Sequence, residues 1–403
     1  MQNVCVIGGG ASGLMAALTA AEDDNNRVLL LERQLRVGRK LLATGNGRCN
    51  LTNLGADVRH YHGEDPDFVL PALRQLPPTE TLALFRSFGL LTVTEDSGRV
   101  YPLSDSAASV LDVLRFQLVQ RGVELRCASP VRELSREKGG FTLRCENESF
   151  RADKVIVACG GIAGGKLGGG KDGYKLLAAL GHERTKLFPA LVQLVTDPEY
   201  PRALKGVRAD AALRLLRGSD CLAQLRGEVQ FTERGVSGPA AFELSRAVST
   251  GGEGLVLEAD FLCDYTETQI VALLSERRRS LPDLEASELL TGLVQNRLGK
   301  MLLRYSGVDT KKTVGALNDR ELRHAAAACK AFRLPLRGTE SFDGAQVTAG
   351  GLRTADFDPE TMQSRLVPGL YVCGELLDID GDCGGYNLQW AWASGRLAGR
   401  LLP

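Results

Sequence analysis

The chain has 403 residues, which at about 150 per domain is enough for two or three domains, and enough to bury a core without disulfide or metal staples. Its 49 basic and 49 acidic side chains leave no net charge, which argues against a protein built to coat nucleic acid or an anionic membrane. The 44% hydrophobic and 24% charged composition is that of a soluble globular chain with no stretch near the ~18 apolar residues of a membrane span; glycine, at 46 residues, is the outlier.

Asn3 to Ile7 is a β-branched apolar run, the pattern of a buried parallel strand. It has no basic residue before it, so it reads as a strand entering a turn and not as a signal peptide. Gly8 to Gly13 is that turn, Ser12 to Glu22 an Ala- and Leu-rich helix, and Arg27 to Leu31 a second buried strand ending at Glu32. The βαβ order predicts a parallel sheet. A glycine-rich segment spans 38–53, and helices are expected over 67–76, 79–88 and 106–121, the last with Val110, Leu111, Leu114 and Leu118 on one face. Residues 123–150 alternate like a small meander, and Val155 to Ala158 is a further buried strand before a glycine-dense stretch. The texture changes near Pro189. Residues 189–262 read as β-rich and 263–335 as helical, after which strand and glycine patterns return, with a strand at 370–373 and a helix over 387–401. The expected class is α/β: a Rossmann-like domain built from 1–188 and 336–403, with an inserted β-rich domain and an inserted helical domain.

The chemistry is carried by glycine clusters. In Gly8-x-Gly10-x-x-Gly13, between strand and helix, Gly8 allows the tight turn, Gly10 admits a pyrophosphate and Gly13 lets helix and strand pack. Ala11 and Ser12 open the helix, whose N-terminus favours phosphate. Glu32 lies 19 residues beyond Gly13, where a carboxylate bonds ribose hydroxyls, with Arg33 beside it. This motif does not separate NAD from FAD. The far end of the chain does: Leu370 to Glu375 is a strand ending in Gly374-Glu375, suited to a ribityl chain, and Asp153 to Gly161 ends in Ala158-x-Gly160-Gly161. At Gly381 to Asn387 glycines again open a helix, whose positive end suits the charge that reduced flavin gathers at its pyrimidine edge. Asp380, Gly384, Gly385, Tyr386, Asn387 and Leu388 are therefore cofactor candidates, as are Arg39, Lys40, Gly47, Arg48, Cys49 and Asn50 in the 38–53 loop, and Val131.

Other readings are weaker. Asp378, Asp380 and Asp382 alternate as in a calcium loop, but the sixth position is Cys383 and the twelfth Gln389. His60 and His62 have no neighbouring ligand cluster in sequence, so no metal is expected. Cys49 lacks the second cysteine of a redox disulfide, and position 53 is Asn. The ten cysteines contain no C-x-x-C and sit mostly in apolar runs, pointing to a reducing cytoplasm. Tyr101, Tyr174, Phe188 and Tyr386 could reach the flavin pocket, but such aromatics are more often core than catalytic, and no general acid or base can be named.

The segments GRKLLATGNGRCNLTN, FTERGVSGP, DGYKLLAALGH and GLYVCGELLDIDGDCGGYNLQWAWASG resemble the BaiN-like (YhiN-like) family of bacterial FAD-binding oxidoreductases, which includes aminoacetone oxidases and proteins linked to bile-acid metabolism. The resemblance covers nearly the whole chain. One departure is Gly164 to Gly170, where the family pattern has a Pro and a Gly-Ser/Thr pair. The resemblance implies FAD and a three-part build, an FAD-binding domain of the two-dinucleotide-fold flavoprotein type with a β-rich and a helical insertion; the leading reading is a reductase whose flavin takes hydride from NAD(P)H and passes it to an unsaturated carbon of an enone or sterol-like small molecule. There is no second GxGxxG unit, so NAD(P)H is expected as a transient visitor. The runner-up is an aminoacetone-type amine oxidase using O2; a tRNA-modifying flavoenzyme and a non-catalytic flavin-binding protein are more remote. The expected partner is a small molecule, with neither nucleic acid nor membrane.

Overall fold

The computed structural model describes residues 1–402. The chain divides into two compact units: Met1–Phe188 together with the chain from Phe342 onward, and Pro189–Ser341.

The first unit is built on a five-stranded parallel sheet. Its strands are β1 (Gln2–Ile7), β2 (Asn26–Leu31), β3 (Glu124–Arg126), β4 (Lys154–Val157) and β5 (Leu370–Val372), in the order β5-β4-β1-β2-β3. Val4 to Ile7 and Val155 to Val157 are buried without alternation, as strands covered on both faces must be. In register, Val4 faces Lys154 on one side and Val28 on the other. Helix α1 (Ala11–Ala20) links β1 to β2, α2 (Ala107–Gln120) precedes β3, and α3 (Tyr386–Gly399) closes the chain. Val110, Leu111, Leu114 and Leu118 are buried on one face of α2, as their spacing requires, and Ser106 caps it by accepting from Ala108 N. Helices α1 and α3 touch through glycine: a Cβ on Gly395 would overlap Ser12 O, and one on Gly399 would lie 2.5 Å from Ala16 O.

The expected meander over 123–150 is shorter than the sequence suggests. Its first piece becomes β3 and pairs in parallel with β2, leaving Glu133–Glu137, Gly140–Arg144 and Ser149–Ala152 as the antiparallel sheet. Three residues are too few for periodicity to tell the two fates apart.

The second unit is a closed six-stranded barrel. Around it run Leu194–Thr196, Gly235–Ser237, Asp220–Phe231, Arg208–Arg217, Leu255–Asp260 and Phe332–Thr339. Helices Glu267–Ser280, Asn296–Tyr305 and Asp319–Lys330 are inserted between the last two strands. Thr266 with Gln269 and Asn318 with Glu321 form capping boxes that start two of them. Barrel residues such as Leu215, Phe231 and Leu257 share one core with Leu274, Leu302 and Ala325 of the helices. The two insertions expected separately thus form one unit. Its boundary falls at 341 and not at 335, because Phe332–Thr339 pairs with both Leu255–Asp260 and Leu194–Thr196 and so closes the barrel.

Candidate functional site

Strands β5, β4 and β1 are parallel neighbours, so the segments that follow them emerge at one edge of the sheet. This brings together Gly8 to Gly13, Ala158 to Gly161 and Gly374-Glu375, three segments far apart in sequence. The glycines of the first turn have different duties. Gly8 has φ +109° and packs against Ala158 O; a Cβ on Gly13 would overlap Gly8 O. Both are demanded by the fold. Gly10 is different: it has φ −81°, and a Cβ there would meet nothing within 4 Å. No side chain caps the α1 N-terminus. Ser12 lies against Gly374, whose N–H donates to Ser394 Oγ at 3.0 Å while Trp390 Nε1 donates to Gly374 O at 3.2 Å. Gly160 faces open space, with nothing within 4 Å of a Cβ.

Glu32 is buried and holds the turn directly. Its Oε2 accepts from Gly9 N and its Oε1 from Gln34 N, each at 2.7 Å. The stretch leading to Val131, itself buried, lies against it, since Ser129 N donates to Glu32 O at 2.9 Å. A cavity of about 330 Å³ opens immediately after Glu32, lined by Gln34, Leu35, Arg36, Arg39 and Leu42. Arg33 does not reach into it. Its guanidinium binds Asp172 Oδ2 at 2.6 Å and the carbonyls of Gly168 and Gly169, clamping the stretch where the sequence departs from the family pattern. Arg39 bonds Gln34 Oε1 and the Lys166 carbonyl in the same region. Lys40 and Glu375 form an ion pair at 2.6 Å, and Glu375 Oε1 accepts from Thr348 N at 2.9 Å. Thr348 is a residue sequence reasoning missed: its buried hydroxyl accepts from both Ile162 N and Ala163 N and fixes the path after β4. No motif signals it.

In the 38–53 loop, Arg48 stacks 4.0 Å over the Tyr101 ring and pairs with Asp105 and Glu95. Gly47 faces open space. Cys49 is buried with φ +61°, and burial pushes its thiol pKa up to about 12, so it is a packed thiol and no nucleophile. Asn50 keeps a buried Oδ1 without a hydrogen-bond partner, 2.9 Å from where a Cβ on Gly385 would sit.

The start of α3 is held from several sides. Thr52 Oγ1 donates to Gln389 Oε1 at 2.6 Å, Gln389 Nε2 donates to Leu76 O, and Trp392 Nε1 donates to Leu51 O. The Asn387 amide is spent on its own turn, accepting from Gly381 N and donating to Gly381 O and Asp382 O. Asn53 Nδ2 donates to Gly384 O at 3.0 Å, and a Cβ on Gly385 would press on Thr52 O. Asp380 is buried and Leu388 half-buried. Tyr386 stacks on His60 with centroids 4.2 Å apart. His60 and His62 are not isolated as the sequence implied: Asp382 binds both, at 2.9 and 2.7 Å.

These residues fit a dinucleotide of the FAD type. The open side of Gly10 beside an uncapped helix suits a pyrophosphate, and the orphaned Asn50 Oδ1 beside the second uncapped helix start asks for an N–H donor. Among the described residues no group of three or more His, Cys, Asp and Glu side chains is arranged to hold a metal ion. No helix among them is long and apolar enough to cross a membrane.

The HI0933-like protein Rossmann domain family matches residues 2–401. A 3-dehydro-bile acid delta(4,6)-reductase of Clostridium scindens is 42% identical over 99% of this chain and 98% of its own length. A ribosomal RNA dihydrouridine synthase of Escherichia coli is 30% identical over 96% of this chain and 95% of its own. Among solved structures, the 3-ketosteroid delta1-dehydrogenase of Sterolibacterium denitrificans shares the fold, with TM-score 0.51, 15% identity and 99% of each chain covered.

Proposed function

Because the chain belongs to the HI0933-like Rossmann family, as its BaiN-like motifs implied, we propose that it is an FAD-dependent oxidoreductase that reduces a carbon–carbon double bond conjugated to a carbonyl in a small, sterol-like molecule, with NAD(P)H as the electron donor. The observation that carries the substrate class is the similarity, over 99% of this chain, to a 3-dehydro-bile acid delta(4,6)-reductase. FAD, when bound, would supply hydride chemistry at the carbon β to the carbonyl, with a proton from solvent completing the reduction at the α carbon.

The chain's own residues bind and orient. Gly10 and the α1 N-terminus receive the pyrophosphate. Glu32 keeps the turn in shape through Gly9 N, with its remaining lone pairs for ribose hydroxyls. Glu375, steadied by Lys40 and Thr348 N, meets the ribityl chain. The α3 N-terminus and Asn50 Oδ1 would hold the pyrimidine edge, where a positive helix end favours the reduced state. Arg33, Arg39 and Arg48 bond protein partners and clamp the loops around the site.

One comparison favours a second reading, reduction of a uridine ring in RNA, because the Escherichia coli relative carries that name. Anaerobic titration of the FAD-loaded protein with NADH and then NADPH, followed at the flavin band near ~450 nm, tests the donor. Bleaching, followed by recovery on adding a 3-oxo-4-ene steroid and not on adding uridine-containing RNA, is the expected result. Recovery with RNA alone would move the assignment to the second reading. No bleaching by either nucleotide, with an amine reducing the flavin and O2 restoring it, would install the amine oxidase instead.

A further inference from the structure

The fold assembles a charged cluster that the reading above does not use. Tyr61–His62 and Asp380–Gly381 pair as a two-residue antiparallel bridge, with His62 opposite Asp380, and Asp382 N donates to His60 O at 3.0 Å. This places the Asp382 carboxylate between two imidazoles: Oδ2 lies 2.9 Å from His60 Nδ1, and Oδ1 lies 2.7 Å from His62 Nε2. The side chains are 32%, 35% and 26% exposed, so solvent protons reach them, while their charges are screened less than those of a free surface. The cluster is tied to α3 twice. The His60 ring stacks on Tyr386, and Asn387 Nδ2 donates to Asp382 O.

We infer that the His60–Asp382–His62 cluster is a positioning element whose charge sets the reduction potential of the bound flavin, and with it the pH range in which the flavin accepts hydride. This rests on the reading that the α3 N-terminus faces the flavin's pyrimidine edge. A carboxylate that accepts from both rings assigns the tautomers: His60 carries its proton on Nδ1 and His62 on Nε2. A further proton then enters at His60 Nε2 or His62 Nδ1 and leaves both bonds to Asp382 in place. The cluster therefore passes from one net negative charge to none, and then to one positive, without changing shape. Burial works against the Asp382 charge, but the bonds from His62 and His60 outweigh it and hold the carboxyl below the ordinary carboxylate range. The carboxylate thus stays charged through neutrality, so a proton added to the cluster goes to an imidazole. The other groups around the cluster are few. Asp57 faces His60 but is bonded to Arg59. Buried Tyr61 stays neutral, its hydroxyl pushed far up by burial. Asp380 lies in the bridge itself, opposite His62, and Arg99 Nε lies 3.3 Å from where a Cβ on Gly384 would sit.

The test is the midpoint potential of bound FAD, measured by dye equilibration from about pH 5 to 8, for the parent, Asp382→Asn and the double variant His60→Gln/His62→Gln. The parent is expected to show an inflection, its potential rising more steeply with falling pH where the cluster takes up a proton. The double variant loses the inflection and keeps FAD. Asp382→Asn removes a negative charge beside the reduced flavin and raises the potential at the alkaline end. Variants that hold FAD and superimpose on the parental curve overturn the inference. If Asp382→Asn does not fold, the double variant, which keeps the carboxylate, decides alone. A parent chain that takes up no FAD overturns the cofactor reading itself, and that is seen before any variant is compared.

Discussion

Replacing Gly10 by valine asks little of the folded chain, and this makes it the sharpest single-residue test of the cofactor site. The backbone at Gly10 (φ −81°, ψ −174°) is extended and comfortable for a β-branched residue, and a Cβ there meets nothing within 4 Å. The stability of the FAD-free chain should change by less than ~1 kcal/mol. FAD affinity should fall about 100-fold or more, equivalent to ~2.7 kcal/mol, because the side chain occupies the pyrophosphate's approach. Fluorescence titration with parallel thermal melts separates the two effects; an undiminished affinity would remove the pyrophosphate from this turn. His182 gives a residue-scale prediction of a different kind. It is buried, stacked on Phe357 at 5.0 Å, with Nε2 2.8 Å from Ser364 Oγ, and burial lowers its pKa below the ordinary histidine value of 6.5. The unfolded chain therefore binds a proton more readily than the folded one. The stability this group contributes is complete above pH 6.5 and is lost as pH falls through the lower folded value. Urea melts between about pH 7 and 5 should show a loss of stability that His182→Phe reduces; identical slopes for the two proteins would exclude His182 as its source.

At the scale of elements, the crossing of α1 and α3 holds the site together, because one helix begins at the first glycine turn and the other at the second. Gly395 and Gly399, one turn apart, let α3 press on the Ser12 and Ala16 carbonyls. Gly395→Val must push the helices apart or strain both, at a cost of about 3 kcal/mol. It should also weaken FAD retention, although it lies outside the expected contacts, since the two N-termini would separate. A melt within ~1 kcal/mol of the parent would mean that the crossing yields more easily than its packing implies. The same elements show what a sequence can and cannot disclose. The β1–turn–α1–β2 unit is legible because its signals are local: a glycine spacing, two buried runs and an acid at a fixed distance. Thr348 bonding Ile162 N and Ala163 N, or Asp382 meeting His60 and His62, is not legible, because each contact spans at least 185 residues and neither side has a pattern of its own. The clamping roles of Arg33 and Arg48 were hidden for the same reason. A basic residue in a glycine-rich loop does not disclose which carboxylate or carbonyl the fold will bring to it.

For the whole molecule, the decisive feature is that its two units have separate cores. The core around Val6, Leu14, Ile156 and Trp392 contains no residue of the barrel unit, and the core around Leu215, Leu257 and Leu302 contains none of the Rossmann unit. Every residue assigned here to the cofactor belongs to the first unit. A ligand that binds only the folded form of one unit stabilises that unit by mass action, about 2.7 kcal/mol at 100 times its Kd, and leaves a unit with an independent core where it was. Calorimetry of the full chain should therefore resolve two transitions, and saturating FAD should move one upward while the other stays within error. The transition that moves should be the one lowered by Gly395→Val, which assigns it to the first unit without cutting the chain. A single transition displaced as a whole by FAD would show that the cores unfold together, and a two-state description would then have to span all 403 residues.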